Sequence, residues 1–285
     1  MKLLSIYCEG YRKSVRSFRT IILLWIISLA GSILIVAPLE RNLGRLLDGS
    51  MASELLYDGF NIDVFADIMH AVMPALASFS ISFLLVTVMV FLANTFVTAG
   101  LFRILAGSWK KPYKWKTFLM GADRGFTGFL FIAILAAVAL ILLVLIFAGL
   151  PLGAAIAAGA GYTLLVVVGS LAAIVLILTM PVVLLTADYA RALLTADKYL
   201  GPWKALTKGF RKVRKRFWPA WLVMILLLLL SLLAGFIAWK YTLQSKAATG
   251  GGLLLLLLVS QLFVFLKIWI KVLRYGTVTA MREKW

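Results

Sequence analysis

The sequence contains very few of the side chains on which most enzyme mechanisms depend. It has one histidine, His70, and one cysteine, Cys8, in 285 residues. A single cysteine excludes an intramolecular disulfide, and a single histidine excludes the His-Glu-x-x-His metal motif. The sequence also has neither a Gly-x-x-x-x-Gly-Lys phosphate loop nor a Gly-x-Ser-x-Gly nucleophile elbow. We therefore predict that the protein is not an enzyme and has no cofactor.

Acidic residues are also scarce, whereas apolar residues are abundant. The chain has 11 Asp and Glu against 29 Lys and Arg, for a formal net charge of +18, and 63% of its residues are hydrophobic. The mean hydropathy is +1.03, a value that a soluble fold with a polar surface does not reach. The cations lie beside apolar segments, where lipid headgroups are the nearest opposite charge. This composition predicts a membrane protein and argues against nucleic acid as a partner.

Six apolar runs are each near or above the roughly 20 residues that cross ~30 Å of hydrocarbon. They cover residues 21–39, 72–102, 126–150, 162–187, 217–239 and 250–272. Of the 29 Lys and Arg residues, 25 lie before the first run, between the second and third, between the fourth and fifth, or from Lys267 onward. Because cytoplasmic loops are enriched in Lys and Arg, both termini are expected in the cytoplasm. The sequence thus predicts an all-α membrane protein, with six transmembrane helices in a single domain over residues 1–285.

An internal repeat divides the chain into three similar parts. A shift of 88 positions, without a gap, aligns Thr98-Ala99 with Thr186-Ala187, Arg103 with Arg191, Trp115-Lys116 with Trp203-Lys204, and Gly121 with Gly209. A weaker equivalent of the segment around Gly209 begins at Gly10. We therefore predict three transmembrane hairpins, each preceded by a basic amphipathic segment on the cytoplasmic side.

The most basic of these segments begins at Pro202, a residue suited to the first turn of a helix. Its apolar residues recur at spacings of three and four, as on a helix that lies at a membrane surface: Trp203, Leu206, Phe210 and Val213. Seven cations lie between and after them: Lys204, Lys208, Arg211, Lys212, Arg214, Lys215 and Arg216. Such clusters beside a span are typical of anionic-lipid recognition, so we predict an anionic-lipid or partner surface. The alternative is that these cations only fix the orientation of the adjacent spans.

Polar residues within the apolar runs suggest a different hypothesis. Asn94, Gln261 and Lys267 could line a path between the hairpins, as in a permease or channel for a small or lipid-like solute. The alternative for Asn94 is hydrogen bonding between helices. For Lys267 it is a side chain that extends to the headgroups at the inner end of its span.

The connection over residues 40–71 is the one acidic region, and it is predicted to lie outside the cytoplasm. Asp63, Asp67 and His70 are spaced to share one helix face, where they could offer two carboxylates and an imidazole to a divalent metal. Three ligands from one helix leave the coordination shell incomplete, and the solvated face of an outer interfacial helix would have the same spacing. We therefore predict no metal.

The sequence Thr-Ala-x-x-x-Arg at the end of a span, as in Thr186-Ala187 to Arg191, occurs together with a basic segment before each outgoing span. This pattern resembles the membrane domain of some bacterial glycerophosphodiester phosphodiesterases and related stand-alone six-helix proteins, which are largely uncharacterised. The resemblance covers most of the chain from about Phe91 and implies a bacterial inner-membrane protein. The catalytic half of such phosphodiesterases has no counterpart, so the resemblance implies no catalytic residue.

Together these observations predict a non-enzymatic inner-membrane protein that acts as an accessory or assembly subunit or as an anionic-lipid-interacting scaffold. Its expected partners are anionic headgroups on the cytoplasmic side and a larger membrane complex. The permease or channel is the alternative function.

Overall fold

The computed structural model describes residues 2–47, 62–107, 113–159, 161–197, 199–244 and 250–284, and nearly all of them are helical. The helices are α1 (Lys2–Arg16), α2 (Phe18–Leu47), α3 (Ile62–Leu105), α4 (Trp115–Val144), α5 (Leu150–Ala157), α6 (Tyr162–Ala196), α7 (Pro202–Lys215), α8 (Phe217–Gln244) and α9 (Gly250–Lys284). A π-helical turn, Leu145–Gly149, joins α4 to α5. After α5 the chain turns at Gly159, whose φ of 66° suits glycine because it has no Cβ.

Six helical stretches are long and apolar enough to cross a membrane: Phe18–Ala37, Phe79–Leu105, Trp115–Ala157, Tyr162–Ala196, Phe217–Thr242 and Leu254–Lys284. Large apolar side chains on these stretches are exposed, as expected for surfaces that contact lipid. The prediction of an all-helical, multi-pass membrane protein with six spans is therefore confirmed. Several spans are longer than their apolar runs. The basic segment that begins at Trp115, for example, continues into the third span without a break.

The chain divides into two compact units. The small unit, Leu23–Asn94, contains most of α2 and the larger part of α3. Within it the two helices meet at Gly31, where an added Cβ would lie 2.6 Å from a methyl group of Val90. Glycine is therefore needed at this crossing. The acidic connection is only partly visible: residues 40–47 and 62–71 are helical, and the residues between them lie outside the described part of the chain.

The large unit, Met1–Ile22 with Thr95–Trp285, has its core at one end of its spans. Phe102 of α3 packs against Phe129 of α4 and Tyr275 of α9, with ring centroids 5.5 and 4.9 Å apart. A neighbouring cluster joins α4, α6 and α7 through Ile132, Ala187, Ala190 and Ala205. The same end of the unit holds the basic helices α1 and α7. The core of the large unit therefore lies at the end that holds its two basic helices.

Helix α1 packs tightly against the last helix. An added Cβ on Gly276 of α9 would lie 2.5 Å from the carbonyl oxygen of Gly10, so the backbones are too close for any side chain. Lys13 is only 2% exposed and pairs with Glu283 at 2.7 Å, and Lys284 pairs with Glu9 at 2.9 Å. The first and last described helices are thus joined by close backbone packing and by ion pairs.

Candidate functional site

Helix α7, which contains the predicted basic surface, lies closely against α6. Its buried residues, Ala205, Gly209 and Val213, recur every four positions and form the side that meets the protein. An added Cβ on Gly209 would be 3.2 Å from the backbone nitrogen of Ala190, so glycine permits this approach. Trp203 and Phe210, in contrast, are exposed. The two aromatic side chains are thus available to lipid, and the cations of α7 are held beside α6.

A cavity of about 400 Å³, here called the basic cavity, lies between α6 and α7. It is lined by Tyr189, Leu193, Lys208, Arg211, Lys212, Lys215 and Arg216. Five of the seven cations predicted from the sequence therefore line one concave site. The other two, Lys204 and Arg214, are exposed on the same helix but do not line the basic cavity. Every charged side chain in the lining is a cation, so the basic cavity suits an anion.

Tyr189 is the part of the basic cavity that sequence reasoning missed. It is 2% exposed, and its hydroxyl oxygen is buried with no hydrogen-bond partner in the described part of the chain. Buried polar groups normally have partners, and leaving one unpaired costs about 1–3 kcal/mol. The internal repeat offered a signal, because the residue 88 positions earlier is the buried, apolar Leu101. The aligned position of the repeat is thus apolar, whereas Tyr189 places a hydroxyl group beside the cations.

A second cavity, of about 280 Å³, occupies a similar place earlier in the chain. Its lining includes Met120, Arg124, Thr127 and Gly128, which are 88 positions before Lys208, Lys212, Lys215 and Arg216. It also includes Arg103 and the carboxylate residue Asp197. The second cavity therefore has fewer cations than the basic cavity and also contains an acid. The two cavities thus share four aligned lining positions, but the positive charge is concentrated at the cavity that Tyr189 lines.

Asp188, the neighbour of Tyr189, has a fully buried carboxylate that the sequence analysis did not single out. Arg191 donates a 2.8 Å hydrogen bond from Nη1 to its Oδ1, and Nε of Arg274 lies 2.8 Å from its Oδ2. Arg274 therefore forms a second short ion pair with the same carboxylate. One carboxylate thus compensates two arginines and joins α6 to α9.

Two further arginines contact carbonyl groups at the end of α6. Arg103 donates to the carbonyl oxygen of Thr195 at 3.3 Å, and Arg282 donates to that of Ala192 at 3.0 Å. The carbonyl of Thr195 is among the last four of α6, which lack partners within the helix, and cations near the end of a helix are favourable because of the helix dipole. These contacts hold the end of α6, and with it one wall of the basic cavity.

The ion pairs between α1 and α9 affect the ionisation of Glu9. Partial burial alone would raise the pKa of the Glu9 carboxyl group. The hydrogen bond from Lys284 and the positive charges of Lys13 and Lys284 outweigh that effect, so the pKa of Glu9 lies below its ordinary value. The charged form of Glu9 is therefore favoured by the packing of α1 against α9.

The structure does not bring the three residues of the predicted permease path together in one unit. Asn94 belongs to the small unit and donates a 3.0 Å hydrogen bond to the carbonyl oxygen of Val90 in its own helix. Gln261 and Lys267 belong to the large unit, six positions apart on α9, which places them about 120° apart around the helix axis. The half-buried Gln261 and the exposed Lys267 therefore do not share a helix face.

The metal candidates Asp63, Asp67 and His70 lie in α3, but their side chains are outside what the structure describes. Among the described residues there is no group of three or more His, Cys, Asp or Glu that could hold a metal ion. Cys8 is a free, exposed thiol on α1.

Comparison with known proteins gives no relative from which a function could be transferred. No protein-family model, no curated protein and no solved structure matches the chain. The basic cavity and its surroundings are therefore the basis for a functional proposal.

Proposed function

We propose that this protein is a non-enzymatic bacterial inner-membrane protein that binds anionic lipid headgroups on its cytoplasmic face and acts there as an accessory or assembly subunit. The observation that carries the proposal is the basic cavity, in which four cations of α7 and Arg216, the residue after it, line a single concave site. Positive charge between the fourth and fifth spans is needed to fix the orientation of these spans in the membrane. That role does not require the charges to surround a cavity.

The electrostatic attraction is large enough to matter. A Lys or Arg near an anionic membrane surface contributes about 1 kcal/mol, so five would contribute up to about 5 kcal/mol, or more than a thousandfold in affinity. Lys208 and Arg216, the outermost of the five cations, are eight positions apart, about 12 Å along a helix axis, which is comparable to the Debye length of roughly 8 Å at physiological salt. They would therefore act on one bound headgroup together.

Packing around the two glycines that align in the repeat supports the proposed three-hairpin arrangement. Gly121 lies against Arg103 and Ala99 of the preceding helix, and Gly209 lies against Thr186 and Ala190 of α6, each one position before the aligned residue. Gly10 of α1 lies against α9 and would be the third member of the series. The contact between α1 and α9 also agrees with the proposal that both termini are cytoplasmic, because it puts both terminal helices on one side.

A lipid-retention measurement on the full-length protein in mild detergent tests the proposed function. The protein is exchanged into micelles that contain phosphatidylcholine alone or with phosphatidylglycerol, and bound lipid is counted by native mass spectrometry. We expect selective retention of phosphatidylglycerol. Loss of two lining cations in Lys208→Ala/Lys212→Ala should weaken this retention by about thirtyfold, as about 2 kcal/mol implies.

The control is Lys204→Ala/Arg214→Ala, which removes the same charge from the same helix but outside the basic cavity. Retention close to that of the wild type is expected for the control pair. Equal losses in both pairs would mean that diffuse charge, not the basic cavity, attracts the lipid. Wild-type protein that retains phosphatidylcholine and phosphatidylglycerol equally would reject the proposed function.

The alternative is a permease or channel for a small or lipid-like solute, and one observation favours it. Buried ionisable groups at the end of a span are typical of transport proteins, and Asp188 with Arg191 and Arg274 is such a group. Solute flux in proteoliposomes that is lost in Lys267→Ala would favour the permease. Stable co-purification with a membrane complex, without flux, would favour the accessory role.

A further inference from the structure

We propose that the basic cavity is a site for a terminal phosphate group, the headgroup of a phosphomonoester lipid such as a phosphatidate. This inference rests on the proposed function, because it takes the basic cavity as the place where anionic lipid binds. It adds a chemical preference: the ligand is selected by its phosphate group, and negative charge alone is not sufficient.

The first argument is the buried hydroxyl of Tyr189. Tyr189 is one of the residues that line the basic cavity, and no group in the described part of the chain hydrogen-bonds to its hydroxyl. Leu101 at the aligned position indicates that the fold accepts an apolar side chain there, so the hydroxyl is not needed for packing. A buried hydroxyl without a partner is unfavourable unless a ligand supplies the partner. The other lining groups define what that ligand is.

The second argument is the hydrogen-bonding character of the lining. Lysine and arginine side chains are donors only, and the tyrosine hydroxyl can donate as well. A ligand that satisfies these donors must present acceptor oxygens in the part that enters the basic cavity. A terminal phosphate has three such oxygens and a charge of about −1.5 to −2, whereas a phosphodiester has two free oxygens and a single charge. Five cations and one hydroxyl match the terminal phosphate better.

The third argument concerns the source of the phosphate. Trp203 and Phe210 of α7 and Trp218 at the start of α8 are exposed, and such aromatic residues are typical of the boundary between headgroups and hydrocarbon. The basic cavity therefore lies at the depth of lipid phosphates. Its lining has only one aliphatic residue, Leu193, so it would hold the headgroup while the acyl chains stay in the bilayer. A lipid is thus favoured over a soluble phosphate ester.

The test compares two lipids with identical short chains, dioctanoyl phosphatidic acid and dioctanoyl phosphatidylglycerol. Each is titrated into the full-length protein in mild detergent, and bound lipid is measured by native mass spectrometry. We expect the wild type to bind the phosphatidic acid about tenfold more tightly, the scale of one extra charge-assisted hydrogen bond. Tyr189→Phe removes only the oxygen, so it should abolish the preference while phosphatidylglycerol still binds through the cations.

Matched controls separate the outcomes. Arg124→Ala in the second cavity, aligned with Lys212, should leave the tenfold preference unchanged. A wild type that binds both lipids equally, or a Tyr189→Phe variant that keeps the preference, would overturn the terminal-phosphate site but not the anionic-lipid function. Failure to bind either lipid would overturn both. If glycerol 3-phosphate displaced bound phosphatidic acid at the same concentration as free dioctanoyl phosphatidic acid does, the acyl chains would contribute nothing to binding. The ligand would then be a soluble phosphate ester, which also contradicts the proposal.

Discussion

We expect Asp188→Asn to destabilise the protein strongly, although it changes only one atom and preserves the shape of the side chain. The carboxylate is fully buried and is the charge partner of Arg191 and of Arg274, each 2.8 Å away. The arginine side chains are only 13% and 20% exposed, so water compensates little of their charge. The asparagine would leave two largely buried cations facing each other without an anion.

The size of the effect follows from the burial. Removal of one partner from a buried ion pair costs about 3–5 kcal/mol, and asparagine, which can still accept a hydrogen bond from Arg191, should be near the lower value. By the scaling for domains of about 150–250 residues, about 3 kcal/mol lowers the melting temperature by roughly 6–12 °C. Thermal unfolding of the full-length protein in mild detergent, followed by tryptophan fluorescence, measures this shift.

Two further variants make the test of Asp188 specific. Asp123→Asn changes an exposed acid on α4 in the same chemical way and should shift the melting temperature very little. Asp188→Asn combined with Arg274→Met removes one of the two uncompensated cations and should recover part of the lost stability. A melting temperature of Asp188→Asn within 2 °C of the wild type would refute the reasoning that the carboxylate holds α6 and α9 together.

The remaining predictions concern the ends of α1, α6 and α9. Gly276→Leu should separate α1 from α9, because even a Cβ would meet the Gly10 carbonyl oxygen. Hydrogen–deuterium exchange of the α1 amides should therefore rise, and unchanged exchange would contradict the packing. Because the pKa of Glu9 is lowered, its ion pair with Lys284 contributes stability above about pH 4.5, and this contribution is lost as the pH falls through the lowered value. The contribution is under about 1 kcal/mol, so a fluorophore on the single cysteine should report a small loosening of α1 in wild type on acidification; the same response in Glu9→Gln would refute this. Arg282→Gln should increase exchange at the last turn of α6 by severalfold, whereas protection equal to the wild type would show that the helix end needs no cation.

The six spans were predictable because each is a local property of the sequence. A run of about 20 apolar residues must be covered by hydrocarbon, whatever the rest of the chain does, and all six runs are helical in the structure. The ends of the spans were less predictable. The third span begins at Trp115, within the segment that composition assigns to the membrane surface, because polar residues do not interrupt a helix that continues into solvent.

The cations of the candidate site were also found from the sequence, but their arrangement was not. The hydropathy pattern of α7 predicts an apolar helix face, but it does not indicate whether lipid or protein covers that face. The small residues Ala205 and Gly209 make the contact with α6, and Trp203 remains exposed. Which cations then line a cavity depends on how α7 is rotated about its axis, and hydropathy does not determine that rotation.

Asp188 and Tyr189 escaped detection for a different reason. An apolar run judged to end at Ala187 leaves them in a connecting segment, where an acid and a tyrosine are ordinary. In the structure α6 continues to Ala196, and both side chains are buried because α9 and α7 cover them. The partner Arg274 is 86 positions away along the chain, and such a pairing is a property of the tertiary fold.

The contact between Gly10 and Gly276 has a consequence for biosynthesis. Helix α1 is matched to a helix that leaves the ribosome about 270 residues later, which at 5–20 residues per second is on the order of 15–50 s. During that interval Lys13, whose partner Glu283 has not yet been translated, must remain in water or among lipid headgroups. Completion of the large unit therefore waits until α9 has been translated, and a nascent chain interrupted before α9 would leave α1 undocked and open to proteolysis.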